Sequence, residues 1–176
     1  MMSEFTVEIF TTDYVGSPGR RSFYVQARDS SGTHSYEIEK QQIQALVEKL
    51  REVLVLVDQE DTVLATEPAR DPALVLESPV EPDYRVGTIG LAYDESSDVI
   101  VVVLQPADAE EPEEVVVDSD AGDRLLVRRD QVRAFILHAA SILAEGRPTC
   151  QLCGLPIDPE GHQCPASNGH RSSPVG

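Results

Sequence analysis

Basic side chains are scarce in this sequence: 14 lysines and arginines stand against 31 aspartates and glutamates in 176 residues, a formal net charge of −17. Neutralising phosphate supplies most of the affinity of nucleic-acid binding, so this balance excludes DNA or RNA as a direct partner. It equally excludes attraction to an anionic membrane surface. No apolar run reaches the roughly 18 residues that a spanning helix needs. Met1-Met2-Ser3-Glu4-Phe5 has no basic stretch leading into an apolar one, so no secretory signal is expected. The phosphate-binding Gly-x4-Gly-Lys-Ser/Thr, the dinucleotide Gly-x-Gly-x-x-Gly and the hydrolase Gly-x-Ser-x-Gly are all missing. Cysteine is limited to three, an odd number that fits no disulfide framework. What remains is 41% hydrophobic, enough to bury a core. These features point to a soluble, cytoplasmic protein of one domain with an appendage.

The acidic residues are concentrated. Residues 58–83 hold eight of them and a single arginine, and residues 107–123 hold eight and no base, so the two segments carry −15 of the −17. With Pro68, Pro72, Pro79, Pro82 and Pro112 among them, they read as solvated loops or as an acidic face for a basic partner. They divide a body (1–146) into units of about 4–57 and 84–146, followed by a tail (147–176) whose end is expected to be disordered.

Each unit carries a similar pattern. Phe5, Val7 and Ile9 alternate with polar residues as a half-buried strand does, Ser22 to Ala27 and His34 to Ile38 follow, and a helix runs from about Glu39 to Val57. Its stripe is Ile43, Leu46, Val47, Leu50, Leu54 and Val57. The second unit opens with Val86 to Tyr93, where Gly87 and Gly90 suggest a bulge. It continues through Val99 to Leu104, apolar on both faces and therefore central. Val115 to Val117 are a candidate short strand at the end of the acidic loop, Arg124 to Val127 are a strand, and a helix from about Arg129 to Glu145 presents Val132, Phe135, Ile136, Ala139 and Leu143. Shifting the first helix by 89 residues places Lys40 on Arg129, Gln42 on Gln131, Ile43 on Val132, and Leu46 and Val47 on Phe135 and Ile136. The expected fold is α+β: two strand-strand-strand-helix units sharing one six-stranded, mostly antiparallel sheet, plus a small zinc-knuckle-like tail.

The chemistry-bearing residues lie in that tail, spaced Cys150-x2-Cys153-x8-His162-x-Cys164. Two thiolates from one tight turn, with Gly154 behind it, suit tetrahedral Zn²⁺, and His162 and Cys164 two residues apart leave one face of an extended backbone. A thirty-residue tail is too short to bury its own core, so a metal is the natural staple. A redox pair would open a helix, which Gly154-Leu155-Pro156 does not, and a zinc deaminase needs an upstream His-x-Glu that is missing. Four ligands close the site, so the zinc is structural; His170 is the other candidate for the fourth position. Elsewhere, His138 reads as packed within a helix and His34 as solvated at a strand start. Asp94 and Asp98 read as turn residues, and Lys40 and Lys49 as residues of a polar helix face.

The tail Cys150-Gln-Leu-Cys-Gly-Leu-Pro-Ile-Asp-Pro-Glu-Gly-His162-Gln-Cys164-Pro-Ala-Ser-Asn168-Gly169 resembles the end of the ParJ-like actinobacterial proteins. Lys40-Gln41-Gln42 and Gly87-Thr-Ile-Gly-Leu-Ala-Tyr-Asp94 are similar to signatures of that family, and 12 arginines against 2 lysines suit a GC-rich genome. The chain departs from the pattern at His170, where the family has an aromatic, and at Ala166, where it has a base. The resemblance implies no enzymatic activity, and it implies a ParA-type partition ATPase as partner. The expectation is a non-enzymatic zinc-binding adaptor with a protein partner. The alternative is a small enzyme or ligand-binding domain for a phosphorylated or nucleotide-like molecule, which would require Arg20, Arg21, Arg28, Arg85 or the arginines of 124–133 to gather in space.

Overall fold

In the computed structural model, the described residues are 2–58, 66–108, 121–145 and 151–152. They form an α+β structure: strands β1 (Ser3–Thr6), β2 (Ile9–Val15), β3 (Ser22–Asp29) and β4 (Gly32–Ile38), helix α1 (Lys40–Asp58), strands β5 (Tyr84–Asp94), β6 (Val99–Pro106) and β7 (Asp123–Arg128), and helix α2 (Arg129–Ala144). The seven strands make one sheet ordered β1-β7-β6-β5-β4-β3-β2, antiparallel except where β1 meets β7 and β4 meets β5. Six strands were expected; the seventh arises because the first strand breaks at Val7-Glu8. Its halves then pair with opposite edges of the sheet. Thr6 and Ile9 are three residues, or about 11 Å at most, apart, so the sheet has to curl until its edges approach there.

The curl is filled from inside. Tyr36 on β4 reaches Asp123 on β7, and Phe5 on β1 stacks on His34 of β4 at 3.9 Å. Contacts between strands so far apart in the order require their shared face to be the concave one. Both helices lie there, placed by the apolar stripes read from the sequence: Ile43, Leu46, Val47, Leu50 and Leu54 on α1, and Val132, Phe135, Ile136 and Ala139 on α2, are all core residues. Phe10 and Phe135 stack at 4.3 Å. Burial of each of the larger side chains among them contributes about 1.5–3 kcal/mol. Val57 and Leu143, at the ends of the expected stripes, are only half-buried. β6 is central, with Val99–Leu104 buried almost throughout, as its two-sided apolar run predicts.

The same registers recur in both halves of the sheet. Phe5 opposite Leu125 is matched by Tyr84 opposite Tyr36, both parallel. Phe10 opposite Ala27 is matched by Ile89 opposite Leu104, and Val25 opposite Tyr36 by Val102 opposite Leu125, all antiparallel. The break at Val7-Glu8 has its counterpart in the irregularity between Val86 and Thr88. A glutamine of the following helix clamps each irregularity. Gln42 Nε2 donates to Val86 O and Gly87 O while its Oε1 accepts from Glu39 N–H; Gln131 Nε2 donates to Val7 O and Glu8 O while its Oε1 accepts from Arg128 N–H. Each glutamine caps its helix and holds a strand kink together.

Gly122, at the entry to β7, has φ +92°, and a Cβ there would fall on Leu104 O and the backbone of Gln105. Gly122→Ala is expected to cost about 1–3 kcal/mol, read by urea unfolding, because both the left-handed backbone and the space exclude a side chain.

Candidate functional site

The acidic segment before β5 does not behave as a wholly solvated linker. From Arg70 to Asp83 it is a strap across the convex face of β2–β4, and the reason is hydrogen bonding rather than hydrophobicity. Asp71 caps a single 3-10 turn, Pro72–Leu74, through Ala73 N–H, and Leu74 is buried. Thr11 Oγ1 donates to Leu74 O and Arg28 Nη2 donates to Val75 O. Gln26 binds the strap twice, donating from Nε2 to Glu77 O and accepting at Oε1 from Glu77 N–H. These convex-face residues are polar and almost fully buried (Thr11 0%, Gln26 0%), which the strap makes tolerable by satisfying them.

Beyond Glu77 the strap and β4 enclose an open cleft of about 570 Å³, lined by Thr33, Ser35, Glu77, Ser78, Pro79, Glu81, Pro82 and Asp83. Thr33 Oγ1 donates to the Glu77 carboxylate at 2.9 Å, and Asp83 N–H donates to Ser35 O at 2.7 Å. The Glu77 and Asp83 side chains are more than half exposed, so their charges face solvent. The cleft offers hydroxyls and carboxylates, a lining suited to a cationic or hydrogen-bond-donating group.

At its other end the strap is rooted in a partly buried charge cluster. Arg70 Nη2 donates to both oxygens of Asp13 at 2.8 Å, and Nη1 donates to Glu145 at 3.1 Å. The hydrogen bond to Asp13 is the main reason that the Arg70 guanidinium is held even more firmly protonated than usual. His138 on α2 is fully buried. Its Nδ1 accepts from Asp71 N–H at 2.9 Å, and its Nε2 lies 3.8 Å from Asp13 Oδ2. Tyr14 Oη donates to Glu145, and Arg21 donates to Glu145 O while covering the Tyr14 ring. The body thus fixes the residue at which α2 gives way to the tail. Sequence reasoning took His138 correctly as packed. It missed Asp13, Arg70 and Glu145, which are far apart in the chain and carry no spacing signal.

Burial pushes the His138 pKa down from 6.5, outweighing the opposing pull of Asp13, and Arg70 adds to the depression. The unfolded chain therefore binds this proton more readily than the folded one. Stability from this group is complete above pH 6.5 and is lost as pH falls from 6.5 toward the lowered folded value. The expected slope reaches at most about 1.4 kcal/mol per pH unit, and His138→Gln should flatten it in urea titrations across that window.

Most of the arginines that a phosphate site would need are engaged with carboxylates. Arg85 pairs with Glu39, Arg124 with Glu4, Arg28 with Glu77, and Arg129 and Arg133 with Asp58. Burial would raise the Asp58 pKa, but hydrogen bonds from Arg129 and Arg133 outweigh it and hold the carboxyl below its ordinary value. Arg129 also binds Asp98 and Tyr93, tying the end of α1 to the β5–β6 hairpin. His34 is not solvated at a strand start as expected; it lies within β4, stacked on Phe5, with its side chain 23% exposed between Asp29 and Asp83. Tyr36 and Tyr84 both donate to Asp123, and burial, then that carboxylate, pushes both phenols above their ordinary pKa. Asp94 serves the hairpin as expected, held at about 2 by hydrogen bonds from Ser96 and Ser97.

Cys150, Cys153, His162 and Cys164, with the alternative His170, lie outside the described residues, as does Val115–Val117. Among the described residues there is no group of three or more His, Cys, Asp or Glu side chains arranged to hold a metal. Nor is any described helix long and apolar enough to cross a membrane. The chain belongs to the family described as "Protein of unknown function (DUF3090)", which matches residues 4–164. No curated protein and no solved structure matches it.

Proposed function

We propose that this DUF3090 protein is a non-enzymatic, zinc-binding adaptor of the cytoplasm, and that its acidic strap face receives a basic segment of a protein partner. The observation that carries this reading is the cleft at the strap: Glu77, Glu81 and Asp83 line it, the side chains of Glu77 and Asp83 are more than half exposed, and Arg28 reaches Glu77 at 3.7 Å while binding the strap backbone. The engagement of the other arginines with carboxylates of this chain, Arg129 and Arg133 on Asp58, Arg85 on Glu39 and Arg124 on Glu4, favours the adaptor over the phosphate-binding alternative. The Cys150, Cys153, His162 and Cys164 set would hold one structural Zn²⁺ and give the tail a fixed shape. The ParJ-like resemblance supplies the partner class, a ParA-type partition ATPase.

We further infer that the body is an internal duplication. The recurring registers, the paired strand irregularities and the two glutamine clamps support it more strongly than the helix alignment alone, since any two amphipathic helices can be slid into phase. A duplicated frame also gives the strap face meaning, because the matched positions of the other half carry different residues.

The test is affinity capture from cytosol with three baits: the native chain, Cys150→Ser/Cys153→Ser, and Glu77→Lys/Glu81→Lys. The native chain is expected to carry one zinc and to retain one partner stoichiometrically, the cysteine variant to carry no zinc, and the charge-reversed variant to lose the partner. High salt should weaken capture sharply. Equal capture by the native and charge-reversed baits would overturn the strap-face reading.

A further inference from the structure

The middle of the convex face in the second half, on β6, is buried, although the elements that cover the rest of the sheet are elsewhere. On β6, Ile100, Val102 and Leu104 point into the core, so alternation sends Val101, Val103 and Gln105 to the other side. They are 2%, 0% and 3% exposed, and Gly90 beside them is buried too. Both helices occupy the concave face, and the strap is committed to β2–β4. Gln105 Nε2 is buried and has no hydrogen-bond partner among the described residues.

We propose that residues 146–164, the segment following α2, dock across this face as the strap following α1 docks across β2–β4. The inference rests on the repeated frame, not on whether the tail holds zinc. Three observations support the assignment. Each helix ends at the hairpin of the opposite half: Asp58 joins Arg129, Asp98 and Tyr93 at the β5–β6 hairpin, and Glu145 joins Tyr14 and Arg21 at the β2–β3 hairpin. In the first half the chain leaves that point and covers a convex face, so the matching course from Glu145 leads onto β5–β7. The registers then set Thr11, Gln26 and Arg28, which bind the strap, against Gly90, Val103 and Gln105. Gln105 is the counterpart of Arg28, whose guanidinium donates to Val75 O, so a carbonyl of the docked segment is the acceptor for the orphaned amide. Finally, the exchange of polar residues for Gly90, Ala92, Val101 and Val103 makes an apolar surface. The segment brings Leu155, Pro156 and Ile157 to match it, whereas residues 109–120 set six carboxylates around Val115–Val117. Nineteen residues extended span about 60 Å, ample for the crossing.

The experiment places a photocrosslinker in the full-length chain at Ala92→p-benzoylphenylalanine and, separately, at Leu126→p-benzoylphenylalanine, both on this face opposite Val101. Tyr24→p-benzoylphenylalanine, opposite Asp13 beneath the strap, calibrates the method by labelling residues 66–83. Crosslinked peptides from 146–164 are expected with both probes. Peptides from 109–120, crosslinks between isotopically distinct copies, or no product while the Tyr24 probe succeeds would each overturn the proposal. Metal analysis of the same samples reports separately on zinc, so failure of the docking and failure of the zinc reading are distinguishable.

Discussion

Gln131→Ala is expected to destabilise the protein by about 2–4 kcal/mol in urea unfolding, and the matched Gln42→Ala by about 1 kcal/mol or less. Gln131 is 7% exposed, and its amide nitrogen donates at 2.8 Å to both Val7 O and Glu8 O. Its oxygen meanwhile accepts from the N–H of Arg128, the residue that precedes α2. Truncation would strand the buried Val7 carbonyl and leave Glu8 O and Arg128 N–H, both partly buried, without a partner, and buried polar groups without partners cost about 1–3 kcal/mol each. Gln42 makes the same three bonds at 2.9–3.2 Å, but from a half-exposed position where water can replace them. The site of the damage also differs. Val7-Glu8 is where one strand leaves the β7 edge and joins the β3 edge, so loosening it opens the curl itself, whereas Val86-Gly87 is an irregularity within a strand paired on both sides. Equal losses for the two variants would show that the clamp, not its burial, sets the effect.

This comparison also marks how far the sequence could be read. Both helices, β3 to β7 and the central place of β6 were legible because each rests on a local regularity: a stripe at helical spacing on Ile43 to Leu54, and a two-sided apolar run on Val99 to Leu104. The correspondence of Gln42 with Gln131 was visible as well, but not what the two side chains do, since their acceptors lie in strands far along the chain. The broken first strand escaped because Phe5, Val7 and Ile9 alternate without interruption; only the competing demands of two sheet edges split them. The strap escaped for a related reason. Its prolines and acids have the composition of a linker, and its anchors, Thr11, Gln26 and Arg28, are polar residues on a strand face that alternation assigns to solvent. Hydrogen bonds to a segment some fifty residues away leave no periodic trace.

The strap's root carries the second large effect. Arg70→Ala is expected to cost about 2–3 kcal/mol, less than the 3–5 typical of breaking a fully buried ion pair because the Arg70 side chain is 41% exposed. The loss arises mainly at Asp13, whose side chain is 6% exposed and would keep a charge with only Tyr14 N–H and the more distant His138 to answer it. Two further results follow from that cause. Adding Asp13→Asn to Arg70→Ala should recover part of the stability, since the amide retains the bond from Tyr14 and removes the orphaned charge. In the single variant, His138 loses the repulsion of Arg70 and keeps the attraction of Asp13, so its folded pKa should rise and the loss of stability below pH 6.5 should shrink. Histidine NMR titration of native and Arg70→Ala protein measures this directly. An unchanged His138 pKa, or a double variant weaker than the single one, would mean that Arg70 acts by pinning the strap and Glu145 rather than by answering Asp13.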